Sequence, residues 1–326
     1  MPRSRKRLRY KHRGTIPLRD PLAVDHMFDQ VVRDAFEVAL PRVLYHYTKW
    51  VGAEGVLSSR AFWATAHDCT NDEAELISAD TISIEVAKEL QKTAKGAADV
   101  VLDLFLKGYP KLQVTKLRTV YLACFSVARD DKEQWRKYSD DGRGVCLGIR
   151  MLDEPGPKMS DRSSALIRVD YSESSWRASL TENFTEICSL LEKTDMTKHN
   201  HALGLSALYR IGAFAAITAK QEKWAVEQEY RHVTIVHRNA KVKRKEGLSD
   251  GKTIRYLPIV VRADGKPIAL SEIIIGPNQN ADEARERLKK LLADAGYRLN
   301  AMEYPEITLS AVAPWAPASV PIVVPS

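Results

Sequence analysis

Apolar residues recur along the chain at two spacings, and the switches between them outline its elements. Leu22, Met27, Phe28, Val31, Val32, Ala35 and Phe36 recur at helical spacing and predict a helix over 21–40, ended by Pro41. RVLYHYT (42–48) is rich in β-formers and predicts a strand. A short helix around 51–57 and a second strand over 61–66 follow. Residues 67–72 form a polar loop in which Thr70 or Asn71 is placed to cap a helical region over 72–106, broken near Gly96. TVYLACFSV (119–127) is apolar throughout, the pattern of a central strand. DDKEQWRKYSDDG predicts a short polar helix, with strands over 144–150 and 165–171 after it. Residues 173–219 read as two helices with a polar joint at 193–200. Strand 230–236, a basic turn over 241–252, strand 253–261 and a short strand 271–275 come next. An amphipathic helix over 282–295, closed by Gly296, precedes a last strand over 307–312.

Strands and helices interleave irregularly, so the expected fold class is α+β, a mixed or antiparallel sheet core with inserted helices. No linker divides the chain. The expected organisation is a basic tail over 1–20, one α+β domain over 21–312 with helical insertions at 73–107 and 173–219, and a proline-rich tail over 313–326.

Charge changes this picture at one end. Arg3, Arg5, Lys6, Arg7, Arg9, Lys11 and Arg13 fall within 1–14 without an acid, and removing them leaves 42 basic against 42 acidic residues. The tail carries the whole net excess, and DNA or RNA phosphates are its natural partner. It has no apolar segment of a secretory signal. His201 to Ala219 is apolar enough to resemble a membrane span, but Arg210 at its centre favours a buried helix. Of the four cysteines no two stand at C-x-x-C spacing, which is a reduced, cytoplasmic pattern. Cys124 and Cys146 lie in apolar runs and read as buried small hydrophobes.

The candidate chemistry gathers in KQEKWAVEQEYRH (220–232). Glu227 and Glu229, two apart, share a face if they lie in a strand, and like charges on one face push one carboxyl pKa up. Lys220, Lys223 and Arg231 stand near as counterions. Upstream, alternation sends His46 to one face and Tyr45 and Tyr47 to the other. Trp135 and Tyr138 lie one helical turn apart, with Trp135 expected in the core and Tyr138 near the mouth of the next strand. The motifs of P-loop enzymes, zincins and serine hydrolases are absent, and His199 and His201 lack nearby partners for a metal.

The ordered blocks LYHYT, FWAT with a downstream NDxxE, WxxYxxxGxGVCLG, KxxxWxxExEYR and IIIGP resemble a family of bacterial and phage-associated proteins catalogued as a domain of unknown function. They span about residues 44–276. The order His, Tyr, Glu is also similar to the His-Tyr-Glu class of ADP-ribosyltransferase-like folds. That resemblance implies an NAD-consuming enzyme with an ADP-ribosyltransferase-like fold, in a toxin or phage-defence setting, acting on nucleic acid, protein or water. It implies that His46, with Tyr47 and Thr48, holds the adenosine side of NAD and that Tyr138 stacks on the nicotinamide. It further implies that Glu229, or Glu227, binds the nicotinamide ribose; Asn71 is placed either to line the same cleft or to cap a helix. NAD is then a substrate and no metal is needed. Two other readings stay open: a nucleic-acid-binding protein or nuclease in which Glu227, Glu229 and Asp72 hold Mg²⁺, and a non-catalytic interaction module.

Overall fold

The computed structural model describes residues 31, 41–70, 76–151, 163–193, 197–237, 245–249, 252–260, 268–298 and 304–315. The basic residues from Arg3 to Arg13, the helix expected over 21–40 apart from the buried Val31, and Asn71 and Asp72 lie outside the described residues.

The strands are β1 (Val43–Thr48), β2 (Ala61–Ala66), β3 (Arg118–Ser126), β4 (Val145–Arg150), β5 (Ser163–Arg168), β6 (Glu229–His237), β7 (Lys245–Ser249), β8 (Lys252–Val260), β9 (Leu270–Ile275) and β10 (Glu306–Leu309). They form one open, mixed sheet in the order β10-β9-β4-β1-β3-β2-β8-β7, with β6 on β3 and β5 on β6. The β9–β10 pair is parallel and the other pairings are antiparallel. The fold is therefore α+β, as the interleaved pattern implies.

The sheet forks at β3. One edge of β3 pairs with β6 along its whole length, from Arg118↔His237 to Ser126↔Glu229. The other edge meets β1 at Tyr45↔Ser126 and β2 at Leu122↔Thr65 and Tyr121↔Ala66. Between these two contacts the Cys124 carbonyl accepts a hydrogen bond from His46 Nδ1, at 3.0 Å. A side chain thus takes a backbone acceptor that the fork removes from the ladder.

Directly opposed residues share a face, so Tyr45, Ser126 and Glu229 point one way, together with Tyr47, Cys124 and Arg231. His46, Phe125 and Tyr230 point the other. Helices α1 (Trp50–Ser59) and α8 (Ala281–Asp294) cover the His46 face over a core that includes Phe62, Tyr121, Leu147, Ile273 and Leu288. Asn280 caps α8, and Gly296, at φ 90°, follows its end.

The Glu229 face carries two things. Helix α5 (Lys132–Tyr138) packs Trp135 on Tyr45, Tyr47, Cys146 and Ile274. Helices α2 (Asp80–Gln91), α3 (Ala97–Leu112), α6 (Glu173–Lys193) and α7 (Lys198–Thr218) form a layer with its own core of Leu102, Phe105, Phe184 and Leu208. Gly212 lets α7 come close to α3, since a Cβ there would lie 2.8 Å from Tyr109 Oη. Ile217 of α7 and Val114 of the short α4 (Val114–Leu117) join this layer to Val120, Leu122 and Val233 of the sheet. Helix α7 contains the apolar run around Arg210, and no described helix is long and apolar enough to cross a membrane.

Four expectations are corrected. Part of the basic turn over 241–252 is a strand, β7, paired with β8 as a hairpin, because Gly247 and Leu248 continue the ladder opposite Ile254 and Thr253. Thr70 ends a 3-10 turn over His67–Cys69, its hydroxyl donating to the His67 carbonyl at 2.7 Å, and among the described residues the helical region starts only at Asp80, after a turn over 76–79. Cys146 is buried, but Cys124 is exposed. Glu227 precedes the strand; it ends a 3-10 turn over Glu222–Glu227, and Gln228 at φ 45° separates it from β6.

Candidate functional site

The site is assembled where α5, the Glu222–Glu227 turn and the start of β6 meet on the Glu229 face. Asp131 begins α5 by accepting from the backbone of Glu133 and Gln134. Trp135 then turns inward, fully buried, with Nε1 donating to Asp130 at 2.6 Å and its ring edge-on to Tyr47 at 4.9 Å. One helical turn later Tyr138 lies 40% exposed, and its hydroxyl donates to Glu227 Oε1 at 2.5 Å. Ser126 and Gln134 fix the Glu227 backbone by donating to its carbonyl, at 2.7 and 3.2 Å.

Behind Tyr138 lies a buried cluster of two acids and two bases. Lys220 Nζ donates to Glu227 Oε2 and to Glu229 Oε2, both at 2.8 Å. Arg231 Nε donates to Glu229 Oε1 at 2.8 Å, and its Nη1 to the Ile217 carbonyl at 3.2 Å. Glu227, Glu229 and Arg231 are 4%, 3% and 0% exposed. Ion pairs this deep persist only because the four charges cancel and their hydrogen bonds are made internally. The two carboxylates do not face each other unpaired, as the sequence suggested. Burial alone would raise the Glu229 carboxyl, but Arg231 and Lys220 outweigh it and hold the group at about 2. Burial would lower Lys220, but Glu229 and Glu227 outweigh it and raise the ammonium above its ordinary value. Burial and then Glu227 raise the Tyr138 phenol, so it stays a protonated donor.

The two glutamates hold different positions. Both oxygens of Glu229 are engaged by Arg231 and Lys220. Glu227 gives one oxygen to Lys220 and turns the other to the half-exposed Tyr138. Beside them Cys124 is exposed although β3 is a central strand. Its thiol lies within electrostatic reach of Glu229, Tyr138 and Lys220. Solvent therefore reaches the middle of the sheet here, at Cys124 beside the half-exposed Tyr138 and with Glu227 buried behind it, and this opening is the candidate cleft.

The charge network has a consequence for stability. Glu229 titrates near 2 folded, against an ordinary 4.5. Its contribution, about 3 kcal/mol by linkage, is complete above the higher value and is lost as pH falls towards the lower one. Urea unfolding in steps between those two values should show this slope in the wild type. A Glu229→Leu/Arg231→Met variant should lack it, and an equal slope in both proteins would show that other carboxyls are responsible.

Of the residues singled out in the sequence, Tyr138, Glu227 and Glu229 are brought together. His46 approaches the same segment of β3 from the opposite face, against Phe62 and Phe125 at 5.2 and 5.7 Å. A carbonyl can only accept, so the bond to Cys124 places the His46 proton on Nδ1. Burial lowers its pKa, which keeps the ring neutral with Nε2 as an acceptor. The Tyr47 hydroxyl is taken up by the Ala128 carbonyl and the Asp131 amide, at 2.8 and 3.0 Å. Thr48 is buried on the far face beside Gly52. Cys124 and Lys137 are the cleft residues that sequence reasoning missed; a cysteine inside an apolar run carries no sign of exposure. Among the described residues no group of three or more His, Cys, Asp or Glu is arranged to hold a metal ion.

A family model described as "Protein of unknown function (DUF2971)" matches residues 134–232. The matched segment runs from Gln134 on α5 to His232 on β6 and so contains Tyr138, Lys220, Glu227, Glu229 and Arg231. No curated protein and no solved structure matches the chain.

Proposed function

We propose that this cleft is the active site of an NAD-consuming enzyme with an ADP-ribosyltransferase-like fold, passing ADP-ribose to nucleic acid, protein or water. The observation that carries the reading is the Glu227 side chain, paired with Lys220 and bonded to the half-exposed Tyr138 ring, beside a strand centre open at Cys124. Cleavage of the nicotinamide–ribose bond sends the bonding electron pair to the nicotinamide and leaves an oxocarbenium ion. A fixed carboxylate stabilises that cation without reorganising. The acceptor oxygen then bonds to the ribose carbon and releases its proton to Glu227 and on to solvent. Tyr138 offers a face for the flat nicotinamide ring. Glu229 acts through Lys220 as a positioning residue. The neutral His46 supports the floor through the Cys124 carbonyl. The Mg²⁺ nuclease reading is less well supported, because both oxygens of Glu229 are already taken by Arg231 and Lys220, which leaves one carboxylate where two would be needed.

Alkylation tests occupancy directly. Iodoacetamide should label Cys124 in the folded protein and leave Cys146 untouched, read by peptide mass mapping. NAD should slow labelling of Cys124 and not that of Cys69. Unchanged Cys124 labelling at millimolar NAD would count against this site.

A further inference from the structure

The rim of the cleft carries cations that the carboxylates do not use up. Lys137, Lys220 and Lys223 place their ammonium groups 4.7, 5.4 and 5.4 Å from the ring centroid of Trp224. An ammonium within about 6 Å of an indole is held by the ring's quadrupole. Lys220 is neutralised by Glu227 and Glu229. Lys137 reaches Glu227 Oε1 only at 3.7 Å, and that oxygen already accepts from Tyr138. Lys223 is exposed and makes no ion pair among the described residues. Glu222, also exposed, is its neighbour in the turn. The indole N–H of Trp224 is buried with no acceptor among the described residues.

We infer that Lys137, Lys223 and Trp224 form an anion subsite that takes the diphosphate of a dinucleotide whose ribose lies against Glu227. The inference rests on the reading of the cleft as an NAD site and adds to it how the phosphates are held. Lysine binds phosphate as a point charge, and the exposed Lys223 together with Lys137, whose contact to Glu227 is long at 3.7 Å, places two ammonium groups around one ring to match the two charged groups of a diphosphate. A ring that already holds cations keeps them in place before the anion arrives, which reduces the ordering needed on binding.

Calorimetric titration with inorganic pyrophosphate, ADP-ribose and NAD tests this, using the full chain. The proteins are wild type, Lys223→Met, Lys137→Met/Lys223→Met and, as a control on the opposite face, Lys289→Met. Each lost charge-assisted contact should weaken pyrophosphate and ADP-ribose about tenfold, and the double variant about a hundredfold, with a flatter salt dependence. Lys289→Met should bind like wild type. Lys223 is exposed, so the single variant serves if thermal melting shows the double variant to be misfolded. Equal affinity in wild type and lysine variants would overturn the subsite, as would a wild type that binds neither pyrophosphate nor ADP-ribose. Preference of the same lysines for single-stranded oligonucleotide over ADP-ribose would assign the rim to nucleic acid and overturn it too. Lysine-dependent pyrophosphate binding without any NAD cleavage would keep the subsite and remove the glycosyl-transfer reading.

Discussion

Glu229→Gln is expected to lower the free energy of unfolding by about 3–5 kcal/mol, the range for breaking one member out of a buried ionic network. Glutamine keeps the shape and one acceptor oxygen but removes the charge that compensates Arg231. The guanidinium is fully buried and cannot turn to solvent. Lys220 keeps Glu227, so the deficit falls on Arg231. Domains of this kind are stable by only about 5–15 kcal/mol, so the loss is a large fraction of the total. Urea unfolding at neutral pH measures it. Replacing both partners, Glu229→Leu with Arg231→Met, should recover much of the loss, because no unpaired charge remains. A Glu229→Gln protein as stable as wild type would mean that the network relaxes or admits water, and the structural role given to Glu229 would fall.

Glu227→Gln is expected to behave in the opposite way. It removes one anion from the buried network and turns an amide N–H towards Lys220, but Lys220 retains Glu229 and the amide oxygen still accepts from Tyr138, so it should cost less stability than Glu229→Gln and leave the protein folded. Nicotinamide release from NAD should fall about a hundredfold or more, the usual effect of removing a group that stabilises charge developing in the transition state. NAD binding should change little, because the neutral ground-state ribose hydroxyl bonds to glutamine nearly as well as to glutamate. A loss in kcat with KM held therefore marks Glu227 as the group that meets the transition state. A loss in KM alone would make it a binding residue only. Circular dichroism and thermal melting separate either outcome from misfolding.

The fold was legible wherever one periodicity ran unbroken. The LYHYT strand, the apolar TVYLACFSV strand and the two helices within 173–219 occur where the pattern places them, because burial of one face or of both leaves a regular signature. The strand over 245–249 was hidden by its charge, Lys245 and Glu246 being typical of a solvated edge. The site was half legible. Tyr138 beyond Trp135 followed from helical spacing, and the crowding of acids and bases in 220–231 marked a charged centre. Their burial was not readable, because it depends on α7 delivering Lys220 and the Ile217 carbonyl from the other end of the turn. The position of Glu227 was misread, since an αL residue at Gln228, a non-glycine, breaks the strand pattern without a sequence cue. The exposure of Cys124 was invisible for a similar reason: it reflects a fork in the sheet, set by how β1 and β2 meet β3, and not any local preference.

The most direct test of the proposed chemistry is nicotinamide release from NAD by the folded full-length chain, followed by chromatography, with water alone, single-stranded RNA or a protein mixture as acceptor. Release that depends on Glu227, with at least one acceptor, is expected. A folded wild type that releases no nicotinamide with any of them, and whose Cys124 is alkylated at the same rate with and without NAD, would overturn the assignment of this cleft to NAD.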